Sequence, residues 1–449
     1  MEDFLNLYLL TFNCARNPIL VDLFAKHLFH ALPSSVSDGR AEEAFGAPEL
    51  IVFCLQEIAP IASAFLGGSS LAPYFDAFVQ AVDRAVSKRW DINYVNLVRE
   101  NSGMTGLMVF VRSDVVGRIS WIDTAHVGVG FQDMGNKGAV GARLGYLAKE
   151  NSGQDTVDLT FVAAHLAPME YSVKRRNEDW REIVKRLVFS RQGLSTEVAG
   201  GESDESVSLM RGSRTPLGMF APTAYLFFAG DLNYRTSDTL PNKDDYTRFP
   251  RPTTDVTSLL HYSQLLKDDQ LVREKRRQRC LHGLTEAPIK FAPTYKYSVA
   301  SRRAAGRGSG DESTEWKWAR YRWPSWTDRI LYLDTPSWMP ELGHVKAHVY
   351  DALPLFPTSD HRAVALSVSV PSRAIRVPEG IDDTTDVRLS PPFPLDPDWK
   401  YKQEAARNKE IIVGCLAYLG LTWQGGGIVL AAVISGLGVW FVLRTLLEG

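Results

Sequence analysis

Two kinds of residue recur at the ends of apolar runs in this chain, and they are kinds that can orient a water and hold developing negative charge: carboxylates with amides, and histidines. AGDLNYR (229–235) follows the apolar run TAYLFF, which reads as a buried strand. Asp231 and Asn233 stand two apart at that strand's C-terminal end, so in extended chain both side chains point one way while Leu232 points inward. A carboxylate and an amide so placed can orient a water and hold an oxyanion. The plain alternative is a turn, since Gly-Asp and Leu-Asn are common turn chemistry.

Similar residues mark other strand ends. Asp328 stands just before the apolar run RILYLD within RWPSWTDRILYLD (322–334), where the plain alternative is a rigid loop with a surface ion pair to Arg329. Asp360 and His361 enter the strand HRAVALSVSV (361–370), His165 ends VAAHLAP (162–168), Asn13 ends LLTFN, and Glu57 follows VFCLQ. Each alone has an ordinary structural reading: a surface turn, a buried histidine, or a cap. Together they collect at strand ends, where α/β sheets carry their sites. Oxygen ligands such as Glu57 and Asn13 suit a Mg²⁺ that keeps most of its waters. The chain has no Gly-x-Ser-x-Gly and no Cys-x5-Arg phosphate loop, so metal-assisted hydrolysis with water as nucleophile is the reaction class that remains.

The elements that must position these residues are strands interleaved with helices such as 76–90 and 171–189, an α/β pattern in which strand direction stays open. The 449 residues carry a formal net charge of −2, with 50 Lys+Arg against 52 Asp+Glu, which excludes broad electrostatic capture of nucleic acid. Four cysteines with no Cys-x-x-Cys fit a reducing compartment, and the acidic N-terminal residues do not form a signal peptide. Two Gly/Ser-rich stretches, 193–218 and 298–314, read as disordered insertions. Residues 371–410, rich in polar residues and Pro, read as a semi-extended linker.

From 411 to 443 no residue is charged. A membrane helix needs about 20 apolar residues, so this run holds either one span, best between Trp423 and Leu443, or a hairpin broken at 424–427. A buried core hairpin is the alternative. Arg407 and Lys409 before the run predict a cytosolic catalytic side, and the short remainder after it predicts a tail anchor. The weakly charged end favours the endoplasmic reticulum membrane.

FFAGDLNYR (227–235) and RWPSWTDRIL (322–331) resemble the two signatures of the inositol polyphosphate 5-phosphatases, within the endonuclease/exonuclease/phosphatase superfamily. LQEI (55–58), MGNKGAV (134–140), HLAP (165–168), PTYKY (293–297) and SDHRAV (359–364) follow that family's order, so the resemblance spans residues 7–370. With its apolar tail, the chain resembles tail-anchored, fungal-type phosphatidylinositol 4,5-bisphosphate 5-phosphatases. The departures are Ala229 in FFAGD, where an aromatic-x-Gly-Asp with Trp is usual, and the two insertions. The resemblance implies a four-layer α/β sandwich of two mainly antiparallel sheets flanked by helices over 1–370, with 371–410 as linker and 411–443 as the membrane anchor.

It also implies roles. Glu57 with Asn13 would hold Mg²⁺, Asp231 would orient or deprotonate the attacking water, and Asn233 would bind a phosphate oxygen. His361, oriented by Asp328, would stabilise the phosphoryl group, with Asp360 and His165 completing the cage; which residue is the base stays open. Tyr295, Lys296, Arg320 and Arg322 match positions that grip a 4-phosphate, and Asn136 and Lys137 match those facing a 1-phosphate. Val129, Phe131 and Met134, before and within the Gly-Asn-Lys-Gly loop, could dip into lipid; ordinary packing is the alternative. The substrate implied is a phosphoinositide, with phosphatidylinositol 4,5-bisphosphate foremost. Nuclease and sphingomyelinase chemistry on the same fold, or an inactive lipid-binding tether, are the competing readings.

Overall fold

The computed structural model describes residues 4–33, 45–148, 155–191, 217–307, 316–381 and 385–448. Its strands, in chain order, are β1 (Phe4–Asn13), β2 (Leu50–Gln56), β3 (Tyr94–Ser102), β4 (Thr105–Arg112), β5 (Ile119–Gly128), β6 (Gly138–Leu147), β7 (Thr156–His165), β8 (Ser190–Arg191), β9 (Ala224–Asp231), β10 (Thr285–Glu286), β11 (Asp328–Leu333), β12 (Lys346–Ala352) and β13 (Val364–Pro371). The helices are α1 (Val21–His27), α2 (Ile61–Leu66), α3 (Ala72–Arg89), α4 (Val173–Arg186), α5 (Ser263–Leu266), α6 (Gln270–Arg276), α7 (Val299–Gly306), α8 (Trp399–Leu421) and α9 (Trp423–Glu448).

The strands form two sheets, ordered β12-β13-β1-β2-β4-β3 and β10-β11-β9-β7-β6-β5-β8. The pairs β1/β2 and β7/β9 are parallel and the rest antiparallel. Central strands are unbroken apolar runs because both their faces are covered: every residue of β2 and of β9 is buried. One core lies between the sheets, with Leu7, Leu9 and Val52 from the first meeting Phe161, Phe227 and Ile330 from the second. A second core packs α1 and α3 on the first sheet; Phe75, Phe78, Val82 and Val86 repeat at helical spacing and meet Phe53 and Phe110. A third packs α4, through Trp180, Ile183 and Val184, on Phe228 and Val162 of the second sheet. The result is the helix–sheet–sheet–helix sandwich that the resemblance implied.

Strand register does the positioning. In β7/β9, His165 lies opposite Asp231, and in β9/β11 Asp231 lies opposite Asp328, so three strands deliver three polar groups to one level. In β1/β2, Asn13 pairs with Gln56, which puts Glu57 one step past the sheet edge. Gly230 permits the close approach of β9 to β7: a Cβ there would lie 1.8 Å from the Ala164 carbonyl oxygen.

The structure departs from the sequence reading in four places. The start of the second expected insertion is ordered, because Ser298 caps α7 by accepting from Ser301 N; 308–314 of that insertion, and 193–216 of the first, lie outside the described residues. Residues 385–398 lie against the domain instead of hanging free: Arg388 is buried, donates from Nε to Ala224 O at 3.2 Å and pairs with Asp386, and Asp396 N donates to Lys185 O. From Trp399 the expected linker is already helix α8. In the tail, the break falls at Thr422, whose ψ of 150° is extended, while the glycines of 424–427 lie inside α9. Thr422 Oγ1 accepts from Gly425 N at 3.0 Å and so caps α9. The plain alternative for Asp328, a surface pair with Arg329, is not what forms: Arg329 is fully buried between Asp269 and Glu286.

Candidate active site

Asp231 is the hub. Its Oδ2 accepts from Asn13 Nδ2 at 2.9 Å, lies 3.3 Å from His165 Nε2 and 4.0 Å from His361 Nε2, and its Oδ1 accepts from Asn233 N at 3.1 Å. Burial by itself would raise its pKa, but the hydrogen bond from His165 and the charges of His361 and Lys137 outweigh burial and hold it well below the usual carboxylate range. His165 Nε2 also lies 2.6 Å from Lys137 Nζ, so this nitrogen donates to Asp231 or accepts from Lys137, one at a time. Burial, then the positive Lys137, lowers the His165 pKa.

On the opposite side, His361 Nδ1 meets Asp328 Oδ2 at 3.0 Å. That oxygen also accepts from Thr294 Oγ1 at 2.6 Å and Thr327 Oγ1 at 2.9 Å. Desolvation pulls the His361 pKa down, yet Asp328, Asp231 and Asp360 overcome it and raise it to about 9, so the imidazole is a cation at neutral pH. Ser359 Oγ accepts from His361 N and donates to Asn13 O, tying the β13 approach to the end of β1.

The site's backbone is unusual where its chemistry is densest. Glu57 has φ +44° and Asn233 φ +57°, the left-handed region that asparagine tolerates and glutamate avoids. Glu57 pairs with Arg16 at 3.2 Å and faces Lys137 at 4.0 Å. Asn233 donates from Nδ2 to Leu166 O at 3.0 Å and accepts from the Arg235 guanidinium, which leaves one amide N–H for a ligand. As donors, the Glu57 carboxylate and the Asn13 amide oxygen are hard oxygens at a half-open strand edge, a set that fits Mg²⁺. Asp231, Asp328 and His361 also bring ligating atoms within 4.8 Å of one another. There, however, His361 Nδ1 and Asp328 Oδ2 already face each other at 3.0 Å, so that trio reads as a hydrogen-bonded relay.

Further out, Lys296 Nζ pairs with Asp360 Oδ2, and both border a cavity of about 530 Å³ that Arg320 lines too. Arg302 and Lys317, which the sequence reading did not single out, line the same cavity. Arg322 is held by the buried Glu170, Nη1 to Oε2 at 2.9 Å. Tyr295, expected to face the 4-phosphate, is buried; its ring lies 4.4 Å from the His361 ring, with the Arg235 guanidinium over it, also at 4.4 Å. It therefore packs between His361 and Arg235. Asn136 accepts from Phe131 N through Oδ1 and shapes the loop before Lys137.

The lipid-contact expectation holds for one residue of three in terms of exposure. Phe131 is 70% exposed, but Met134 at 7% and Val129 at 2% are core residues, so neither can meet lipid. The sequence reading missed Thr294, Thr327, Ser359, Glu170, Arg235 and Arg16. Thr327, Ser359 and Arg235 sit inside quoted motifs beside acidic or amide residues, and that adjacency was the available signal. Arg16 and Glu170 carried none.

With this geometry in hand, comparison with known proteins is informative. The chain is 31% identical over 297 residues to the type II inositol polyphosphate 5-phosphatase 15 of Arabidopsis thaliana, an alignment covering 62% of this chain and 24% of that protein. It is 31% identical over 245 residues to human synaptojanin-1, covering 54% and 12%. The chain thus spans about a quarter or less of the length of these relatives. Among solved structures, the inositol polyphosphate 5-phosphatase domain of SPsynaptojanin, crystallised with inositol (1,4)-bisphosphate and calcium, shares the fold at a TM-score of 0.56 and 21% identity over 91% of this chain and 90% of that one. Residues 10–367 match the family described as endonuclease/exonuclease/phosphatase family 2, and the chain belongs to that family.

Proposed function

We propose that the chain is a phosphoinositide 5-phosphatase, removing the 5-phosphate from phosphatidylinositol 4,5-bisphosphate with Mg²⁺. The observation that carries this reading is the convergence of Asn13, His165, Asp231, Asp328 and His361 on one point at strand ends of both sheets, beside a cavity rich in cations. A Mg²⁺ bound by Glu57 and Asn13 would supply charge neutralisation at the phosphate. The chain's own groups account for the rest. Asp231, kept ionised by its partners, accepts a hydrogen bond from water and aims it at phosphorus. The water–phosphorus bond forms as the bond to the ring oxygen breaks; the water gives up one proton to Asp231, which passes it to solvent, and the ring oxygen takes one proton from solvent and leaves as a hydroxyl. His361, cationic and oriented by Asp328, donates to the equatorial oxygens as charge builds on them. The free N–H of Asn233 and the ammonium of Lys137 serve the same oxygens.

Lys296 and Arg320, which line the same cavity, and Arg322, held by Glu170, are the groups assigned to a 4-phosphate, and Asn136 and Lys137 those assigned to a 1-phosphate. Within helix α9, the stretch Trp423–Leu447 is long and apolar enough to cross a membrane and lies exposed apart from Gly425, which supports a membrane-held enzyme whose substrate is a lipid. The weak charge flanking it favours the endoplasmic reticulum, with the catalytic domain in the cytosol. The test is phosphate release from a panel of defined inositides, with Mg²⁺ and with chelator. Release only from those carrying a 5-phosphate, lost with chelator, supports the reading; binding without release makes the chain a lipid tether, and cleavage of nucleic acid or sphingomyelin overturns it.

A further inference from the structure

Helix α8 is docked along its first four turns. Ala406, Glu410 and Gly414, four residues apart on one face, are buried. Gly414 runs so close to α2 that a Cβ there would lie 3.1 Å from Phe65 Cβ and 3.2 Å from Leu66 N. Arg407 donates to Phe65 O at 2.7 Å and to Leu66 O at 3.2 Å, satisfying the open carbonyls at the end of α2. Gln403 Nε2 donates to His126 O, and Lys409 Nζ to Gln132 O. The carboxylate of Glu410 accepts from Gly135 N at 2.7 Å through Oε1 and faces Arg407 at 3.2 Å through Oε2. A single helix therefore holds both the C-terminal end of α2, the helix that follows Glu57, and the 130–137 loop that ends at Lys137.

Past Gly414 the helix leaves the domain. Leu416 is 65% exposed and Trp423 94%, and on the neighbouring loop Phe131 is exposed as well. So much exposed apolar surface, continuous with a helix of spanning length, fits a lipid surface. Thr422 is the one non-helical residue between the docked helix and that span. Gly425 seats α9 against the Tyr418–Leu419 backbone, since a Cβ there would lie 2.0 Å from Tyr418 O. The connection has no slack.

We propose that α8 is a strut fixing the active site against the bilayer that holds α9, with Glu410 as the positioning residue that ties the 130–137 loop to the membrane helix, so that the chain acts on lipid headgroups of its own membrane and not of an apposed one. The cis restriction rests on the phosphatase reading above. A coil over 371–410 would reach about 35 Å on average and roughly 130 Å when extended; a docked helix reaches nowhere.

The test uses the full chain inserted in vesicles. Phosphatidylinositol 4,5-bisphosphate is placed either in the same vesicles or only in a second, tethered population. Turnover in trans should be lower than in cis by roughly tenfold or more, and a flexible Gly/Ser segment of about 40 residues inserted after Leu421 should bring the two within a few-fold. Equal cis and trans turnover by the unmodified chain overturns the strut. Glu410→Ala should raise hydrogen exchange across the 130–137 loop several-fold and raise KM for the lipid more than it lowers kcat, while Glu410→Gln, which keeps an acceptor for Gly135 N, restores both. Unchanged exchange in Glu410→Ala removes the role given to Glu410. A fluorophore at Phe131→Cys, in a Cys415→Ser background, should be quenched by headgroup-level nitroxide lipid, and less so after the insertion; absence of quenching also overturns the strut. Should no inositide release phosphate, the phosphatase reading falls, and quenching and exchange still decide the strut.

Discussion

Asp231 draws its properties from partners on four strands, and its reactivity cannot be assigned to any one of them. Asn13 and His165 arrive from the ends of β1 and β7, His361 from the approach to β13, and Asp328 acts through His361 from the start of β11. Glu57→Ala and Asp231→Ala should each lower phosphate release by about 10²-fold or more while circular dichroism stays native, since each removes one positioned group. Near-normal turnover of either variant at saturating Mg²⁺ would remove that residue from the mechanism. Charge recognition is a separate matter at this scale. Neutralising Lys296 and Arg320 should weaken kcat/KM for a 4,5-bisphosphate by about tenfold or more and leave an inositide lacking the 4-phosphate within a few-fold. Equal losses on both would mean that these cations act through the cavity's general field.

The elements that carry these residues are anchored by buried polar contacts as well as by apolar packing. At the start of β11, Arg329 is fully buried, with Nε and Nη2 on Glu286 at 2.7 and 2.6 Å and Nη1 on Asp269 at 3.1 Å. Tyr350 donates to Glu286 from β12, so this cluster joins the edges of both sheets one residue from Asp328. Removing one member of a buried charge cluster strands the others, which typically costs about 3–5 kcal/mol. Arg329→Met should lower stability by that amount in urea unfolding, and a loss under about 1 kcal/mol would show that Asp269 and Glu286 take up protons or water instead. Gly230→Ala should be worse placed still: its Cβ would overlap the Ala164 carbonyl, so β7 and β9 would separate at the level of His165 and Asp231. The expected outcome is insoluble or inactive protein, with soluble, active Gly230→Ala contradicting the register described above.

For the whole molecule, α8 moves the functional boundary of the domain. A cut before Glu410, which the linker reading would treat as harmless, removes the Gly135 contact and the Gly414 face from α2. A chain ending at Leu421 should keep the thermal stability and the turnover on dispersed short-chain lipid of the full chain, and should lose only membrane retention. A chain ending at Lys409 should melt about 1–3 °C lower, as expected for a loss of about 1–2 kcal/mol in a chain of this size, and turn over more slowly. Equal melting temperatures for the two would return α8 to the status of a linker.

Which residues stand at strand ends was legible in the sequence, because strands buried on both faces must be unbroken apolar runs and the first polar residue marks where burial stops. Asn13, Glu57, His165, Asp231 and Asn233 were found this way at strand exits, and Asp328, Asp360 and His361 at strand entries. Composition and periodicity alone left strand direction open; the resemblance supplied the two-sheet sandwich. What no local pattern could tell was which strand ends share a level, since register depends on pairings such as β7 with β9 that join residues far apart in sequence. For the same reason Met134 and Val129 were misread: a loop residue's apolar side chain says nothing about whether a core lies beneath it. The burial of Arg329 was equally beyond local reading, because its partners, Asp269 and Glu286, come from elsewhere in the chain. The 371–410 segment misled most, because its polarity and prolines do describe a chain without a core of its own. Only the folded domain supplies the surface, made of α2 and the 130–137 loop, on which Ala406, Glu410 and Gly414 become a buried face.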